Sequence, residues 1–204
     1  MKILLMGPQG SGKGTAGEKL SEKLQIPLIG VGQTLRDLPK NTPESKKLQE
    51  CLDKGDLAPN YLIAEILRKR VALPDCSKGY ILDGWGRKMS DIELFDPGFD
   101  KVISLILSKK TSLIRISGRR TCDSDGKIYN IYTLPKKELK KCQGKLVQRS
   151  DDTKEAVNKR LNIFYTETKP VIEYFRQKGL LVEVDGEPWP DTVALNLCYA
   201  LGLN

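Results

Sequence analysis

The chain has 204 residues, a formal net charge of +8 from 34 basic against 26 acidic side chains, five cysteines and no histidine. Without histidine, Ser-His-Asp, Cys-His and His-zinc chemistries are excluded, and reactions that depend on positioning and positive charge remain. The length suits one domain with a proper core and small insertions. The basic balance favours polyanionic partners, and the scattered Cys51, Cys76, Cys122, Cys142 and Cys198 read as reduced thiols.

The first element is an apolar run at 2–6, and Gly-Pro-Gln-Gly-Ser-Gly-Lys-Gly-Thr follows it at 7–15. An amphipathic stretch at 16–24 comes next, so the order is strand, phosphate loop, helix. Glycines let successive N–H groups turn inward, Lys13 adds a mobile cation, and the helix offers the positive end of its dipole. Gly10, Ser11, Gly12, Lys13, Gly14 and Thr15 are therefore candidate polyphosphate ligands. The general motif places a magnesium-binding hydroxyl directly after the lysine; here Gly14 stands there and the hydroxyl arrives at Thr15.

The opening apolar run is too short, and too soon broken by Gly and Pro, for a signal peptide, and no segment approaches the roughly twenty apolar residues of a membrane span. The expected location is the cytosol. Five apolar runs, at 3–6, 26–29, 80–82, 102–107 and 180–184, alternate with helical patterns and predict an α/β fold. Its parallel sheet should hold ligands beyond the strands' carboxyl ends. Residues 30–60, punctuated by Pro39, Pro43 and Pro59, read as a helical insertion, and residues 117–152 as a small β-rich excursion. The core is then 1–29, 61–116 and 153–204. Aromatics make up 6% of the chain and are not interleaved with basic runs, which argues against nucleic-acid binding. The lysines between 136 and 145 read as a solvated face.

The Gly-Lys-Gly-Thr ending resembles the loop of nucleoside monophosphate kinases. Five further segments extend a resemblance to the adenylate kinase family over nearly the whole chain. They are Gly32 with Leu35-Arg36; Gly55 with Leu57-Ala58-Pro59; Leu82-Asp83-Gly84 with Arg87; Arg115 with Gly118-Arg119-Arg120; and Arg149, Asp151-Asp152 and Arg160. The resemblance implies a P-loop kinase with a five-stranded parallel sheet flanked by helices, a monophosphate-binding insertion at 30–60 and a lid at 117–152.

It also implies roles. Lys13, Arg87, Arg119, Arg149 and Arg160 would be catalytic. Residues 10–15 with Arg115 and Arg119 would bind ATP, Arg115 stacking on its adenine. Val31, Gly32, Arg36, Ala58, Gly84, Arg87, Asp91, Arg149 and Arg160 would bind the monophosphate. Asp83 and Thr15 would organise Mg2+ through water, and the aspartates near 151 would pin the lid. Permanently charged, planar guanidinium groups suit the crowded oxygens of such a transfer.

The chain departs from the family at four places. Gly30-Val31 replaces a Ser-Thr pair, and Asp91 replaces the glutamine that reads adenine. A carboxylate only accepts, so Asp91 would suit guanine's adjacent donors better than adenine. Its other reading is as part of a helix capping box, Ser90 to Glu93. Trp85-Gly86 replaces Phe-Pro, which removes the family's cis-proline before Arg87. The zinc-binding variant of the lid is reduced to Cys122, Asp125 and Cys142, too few ligands for a closed site unless Glu138 or water completes it. A lid held by hydrogen bonds and apolar contacts is expected instead.

The expectation is a cytosolic, monomeric adenylate kinase that uses MgATP, AMP and ADP, with no nucleic-acid or membrane partner. The alternatives are a kinase with acceptor specificity shifted to GMP, UMP or CMP, and a non-catalytic nucleotide-binding regulatory protein.

Overall fold

The strands run in chain order as β1 (Lys2–Met6), β2 (Leu28–Gly30), β3 (Tyr80–Asp83), β4 (Lys101–Ile106), the short β5 (Arg119–Cys122), β6 (Ile128–Asn130) and β7 (Leu146–Val147), and finally β8 (Leu181–Asp185). The helices are α1 (Lys13–Leu24), α2 (Val31–Arg36), α3 (Pro43–Asp53), α4 (Asn60–Val71), α5 (Met89–Leu94), α6 (Lys109–Ser117), α7 (Lys136–Leu139), α8 (Lys154–Ile163), α9 (Lys169–Gln177) and α10 (Pro190–Ala200). These assignments come from a computed structural model that describes residues 1–53, 58–148 and 152–203.

The main sheet is parallel, in the order β2-β3-β1-β4-β8. Both of its faces are covered, as the near-continuous apolar runs require. Alternation along β1 shows how the sequence divides between them. Ile3 and Leu5 pack with Ala16 and Leu20 of α1 and Val193 and Leu197 of α10. Leu4 and Met6 face Ala64 and Leu67 of α4 and Val171 and Phe175 of α9. Leu4, Leu82 and Val102 are wholly buried, and each such side chain is worth about 1.5–3 kcal/mol. At Gly17 an added Cβ would meet the δ-methyls of Leu5 and Leu28 at 2.9 Å, so glycine lets α1 lie against the sheet without displacing those side chains.

The five expected strands all form, with shifted ends. β2 begins at Leu28 because Pro27 has no N–H to give the ladder; its carbonyl still accepts from the Ile81 N–H at 2.9 Å. Successive strands β3 and β4 lie on opposite sides of β1. That reversal opens a crevice at the carboxyl end of β1, where the loop of residues 7–12 emerges.

Three short antiparallel strands form a second sheet in the order β6-β5-β7, pairing Arg119 with Asn130 and Cys122 with Leu146. Here the expectation of reduced thiols fails. Cys122 and Cys142 form a disulfide with Cα atoms 5.8 Å apart, while Cys76 and Cys198 remain thiols. The expected hold on this segment, by hydrogen bonds and apolar contacts, is therefore supplemented by a covalent bond. The cause is topological: β5 ends at Cys122, and the turn after α7 returns Cys142 beside it.

α8 and α9 are joined without a break by a π-helical turn, Phe164–Thr168. Pro170, just beyond it, lacks the N–H that an α-helical ladder needs, a recognised cause of such a local irregularity. Ile116 of α6 packs against Val157 and Leu161 of α8, so the helices entering and leaving the small sheet are tied together at its base.

Candidate active site

The loop after β1 curls because Gly7, Gly10 and Gly12 all take positive φ, at 142°, 78° and 87°. Gly12 caps α1 with no side-chain hydrogen bond, and the first turn of the helix carries no acid. A Cβ at Gly12 or Gly14 would meet nothing within 4 Å. The loop thus presents backbone N–H groups and a helix N-terminus toward open space, a geometry suited to phosphate oxygens. Lys13 is half-buried, and its ammonium donates to the Gly7 and Pro8 carbonyls at 2.8 and 3.0 Å. Thr15 follows in the first helical turn, half-buried.

Asp83, the last residue of β3, stands at the carboxyl edge of the sheet in register with Leu5 and Gly30. Its Oδ1 is buried and has no hydrogen-bond partner. Burial pushes the Asp83 carboxyl above the usual carboxylate range, against the opposing pull of Lys13 and Arg87. Lys13 is lowered by burial and by Arg87 and Arg119, with Asp83 opposing. An orphaned carboxylate oxygen at Asp83 fits the water shell of a divalent ion.

Four cations of the expected set converge. Lys13 feels the charges of Asp83, Arg87 and Arg119. Arg87 is lowered by the protein crowded around it and by Arg160, with Asp83 and Asp91 opposing. Gly84 lies between Arg87 and the buried Val31: a Cβ on Gly84 would come 3.7 Å from Val31 and 3.9 Å from the Arg87 guanidinium. Arg119 makes a two-pronged ion pair with the buried Asp152, Nε to Oδ2 at 2.8 Å and Nη2 to Oδ1.

The other expected residues lie as follows. Arg115 donates to the carbonyls of Gly186, Glu187 and Pro188 at 2.7–3.0 Å, tying α6 to the segment after β8. Arg36 is exposed at the end of α2 and donates to Gln33 of its own helix at 2.6 Å; Gly32 is exposed in the same helix. Ala58 is half-buried before α4. Gly55, Leu57, Arg149 and Asp151 lie outside the described residues. Of the zinc candidates, Cys122 and Cys142 are joined to each other, Asp125 is exposed and accepts from the Lys127 N–H at 3.0 Å, and Glu138 pairs with Lys141 at 2.7 Å. Among the described residues no group of three or more His, Cys, Asp or Glu is placed to hold a metal.

Asp91 is part of a helix capping box, as one of its two readings had it, but in a different frame. α5 begins at Met89 with Lys88 as N-cap, two residues before the expected box. From the third helical position Asp91 reaches back, its Oδ2 accepting the Arg87 and Lys88 N–H groups at 2.9 and 3.1 Å. Its Oδ1 accepts from Asn60 Nδ2 at 2.6 Å. It is only 5% exposed. Asn60 and Thr168 were not foreseen as site residues; the Thr168 hydroxyl donates to the Arg87 carbonyl at 2.9 Å. Pro170 is the one local signal of an irregular turn there, and nothing near it in sequence tells which backbone group the turn serves.

A separate cleft of about 720 Å³ opens beside α9, lined by Pro8, Leu107, Phe164, Lys169 and Arg176 among others. It contains none of the expected site residues.

Comparison with known proteins bears on this arrangement. The family model for adenylate kinase matches residues 5–180. The adenylate kinase of Archaeoglobus fulgidus is 40% identical over 197 residues, covering 91% of each chain. That of Caldicellulosiruptor saccharolyticus is 39% identical over 214 residues and covers all of both chains. That of Methanocella arvoryzae is 36% identical over 212 residues, 98% of each.

Proposed function

The chain belongs to the adenylate kinase family, and from that premise we propose that it catalyses the reversible transfer of a phosphoryl group from MgATP to AMP, giving two ADP. The observation that carries the reading is the cluster of charge at the carboxyl edge of the sheet: Lys13 and Arg87 flank Asp83, Arg119 bears on Lys13 and Arg160 bears on Arg87. A loose phosphoryl-transfer transition state needs little else from the protein: positive charge, in-line positioning and exclusion of water.

In this reading the 10–15 loop cradles the donor phosphates and Lys13 moves from its loop carbonyls to phosphate oxygens. Arg115 lies beside the donor base. Arg119 keeps Nε and Nη2 on Asp152 and offers Nη1 to the transferring group. Arg87, Arg36 and Arg160 hold the acceptor phosphate, with Arg149 joining from the segment after β7. Val31, Gly32, Ala58 and Gly84 border the acceptor nucleoside. Magnesium bound with ATP supplies charge neutralisation, and Asp83 and Thr15 would hold its water shell.

AMP is favoured as acceptor because both carboxylate oxygens of Asp91 are committed to donors of the chain itself. That leaves no oxygen pair for guanine. Residues 30–60 and 117–152 act as the closing pieces that keep water from the donor. No helix among the described residues is long and apolar enough to cross a membrane. We place the enzyme in the cytosol, as a monomer.

The test is ADP production from ATP and AMP by the purified chain. Two ADP form per AMP consumed, EDTA stops the reaction, and Lys13→Ala lowers kcat on the order of 10²-fold or more. ATP hydrolysis that leaves AMP untouched would refute the assignment.

A further inference from the structure

Arg87 follows a stretch that has little stiffness of its own. Gly84 and Gly86 both take positive φ, at 90° and 70°, on either side of Trp85. Glycine reaches such angles freely and loses the most backbone freedom when held in one of them. Order in this turn must come from bonds made to it. Trp85 is anchored, its indole Nε1 donating to the Phe95 carbonyl at 2.9 Å.

Beyond Gly86, the peptide groups of Arg87 are gripped on both sides. Its N–H donates to Asp91 Oδ2 at 2.9 Å, and its carbonyl accepts from Thr168 Oγ1 at 2.9 Å. Asp91 is itself held by Asn60 at the start of α4. Asp91 and Thr168 are 5% and 6% exposed, so water competes little for either bond.

We propose that Asp91 and Thr168 are positioning residues that aim the Arg87 side chain at the acceptor phosphate by clamping its backbone. The inference rests on the reading of Arg87 as a phosphate ligand. Three elements converge on the clamp: the start of α4 through Asn60, the first turn of α5 through Asp91, and the π-helical turn through Thr168.

The helix that supplies Thr168 also carries Arg160, whose charge bears on Arg87. Two guanidinium groups meant to share one phosphate repel each other until it arrives. The Thr168 bond fixes the Arg87 backbone to the same helix and so sets their relative placement in the absence of ligand. The π-helical turn has a purpose in this scheme, since irregular turns of this kind concentrate at functional sites.

The experiment compares Thr168→Val, Thr168→Ser and Asp91→Asn, each alone and the first also in an Arg87→Ala background. The readouts are KM for AMP, KM for ATP, kcat and thermal midpoint. Thr168→Val removes the hydroxyl at nearly constant volume; about a five- to tenfold rise in KM for AMP is expected, with KM for ATP within twofold of wild type. Thr168→Ser restores wild-type kinetics because it keeps the donor. Asp91→Asn keeps one neutral carbonyl acceptor in place of the charged carboxylate, so it raises KM for AMP in the same direction as Thr168→Val but less; wild-type KM for AMP in this variant would remove Asp91 from the clamp.

In the Arg87→Ala background, Thr168→Val changes nothing further, because a clamp has no effect once its cargo is gone. Overturning results are a Thr168→Val protein with AMP kinetics within twofold of wild type, or an effect of undiminished size in the Arg87→Ala background. If Thr168→Val folds poorly, failure of Thr168→Ser to restore KM for AMP overturns the proposal equally. Arg87→Ala with wild-type kinetics would instead remove the reading of Arg87 beneath it.

Discussion

Asp83 holds a buried carboxylate oxygen with no partner, in a position where only the ionised form could serve magnesium. Its raised pKa makes the folded chain carry a cost in the ligand-free state. That cost is absent below the ordinary value near 3.8 and grows as pH rises through the raised one. Asp83→Asn is therefore expected to melt higher than wild type at pH 8 without nucleotide, the advantage shrinking toward pH 4, while activity drops on the order of 10²-fold. Urea midpoints measured across that range, with turnover alongside, check both halves; a variant less stable at pH 8 would contradict the electrostatic account.

Arg119 gives a second test at the same scale. Asp152, whose side chain is wholly buried, needs the two-pronged partner. Arg119→Lys keeps the charge and loses the fork. Turnover should fall by 10²-fold or more and the thermal midpoint should fall with it; an unchanged kcat would strip Arg119 of its catalytic role.

At the scale of elements, the small sheet is stapled by Cys122–Cys142, which closes a 20-residue separation. A loop of this size supports about 3 kcal/mol of stabilisation by the chain-entropy estimate. Denatured protein should show two more reactive thiols after reduction than before, and Cys142→Ser should raise amide exchange in β5 and β7 while leaving β1 and β4 unchanged. Equal thiol counts before and after reduction would contradict the staple.

This was the element least legible from residues alone. Cys122 and Cys142 are separated by a turn, a strand and a short helix, and only their pairing in space distinguishes a disulfide from two thiols or two metal ligands. The phosphate loop was fully legible, because glycines, lysine and helix start are contiguous. The position of α5 was not: Ser90 is the better N-cap by local chemistry, and the N-cap is Lys88 instead, a frame in which Asp91 can reach back to the Arg87 and Lys88 N–H groups and accept from Asn60. The arginines were readable as a set from the resemblance, and Asp152 with them, but Thr168, which holds the Arg87 carbonyl, and Asn60, which holds Asp91, come from distant segments and were not.

At the scale of the whole molecule, the order β2-β3-β1-β4-β8 brings the ends of β1, β3 and β4 to one crevice. It draws Lys13 from the loop after β1 and Asp83 and Arg87 from the end of β3 and the turn after it, while β5, just beyond α6, adds Arg119 and α8 adds Arg160. Alternating apolar runs made the parallel sheet predictable, since burial on both faces leaves few other solutions. Acceptor choice was not predictable, because it depends on whether Asp91 faces a ligand or the chain, and both carboxylate oxygens are taken up by the chain.

The central claim, an adenylate kinase whose Asp91 serves the fold and not the base, is tested most directly by initial rates with MgATP against AMP, GMP, CMP and UMP in parallel. The account predicts rapid phosphorylation of AMP at least 10²-fold above the other three. A preference for GMP, or no turnover with any acceptor, would contradict it.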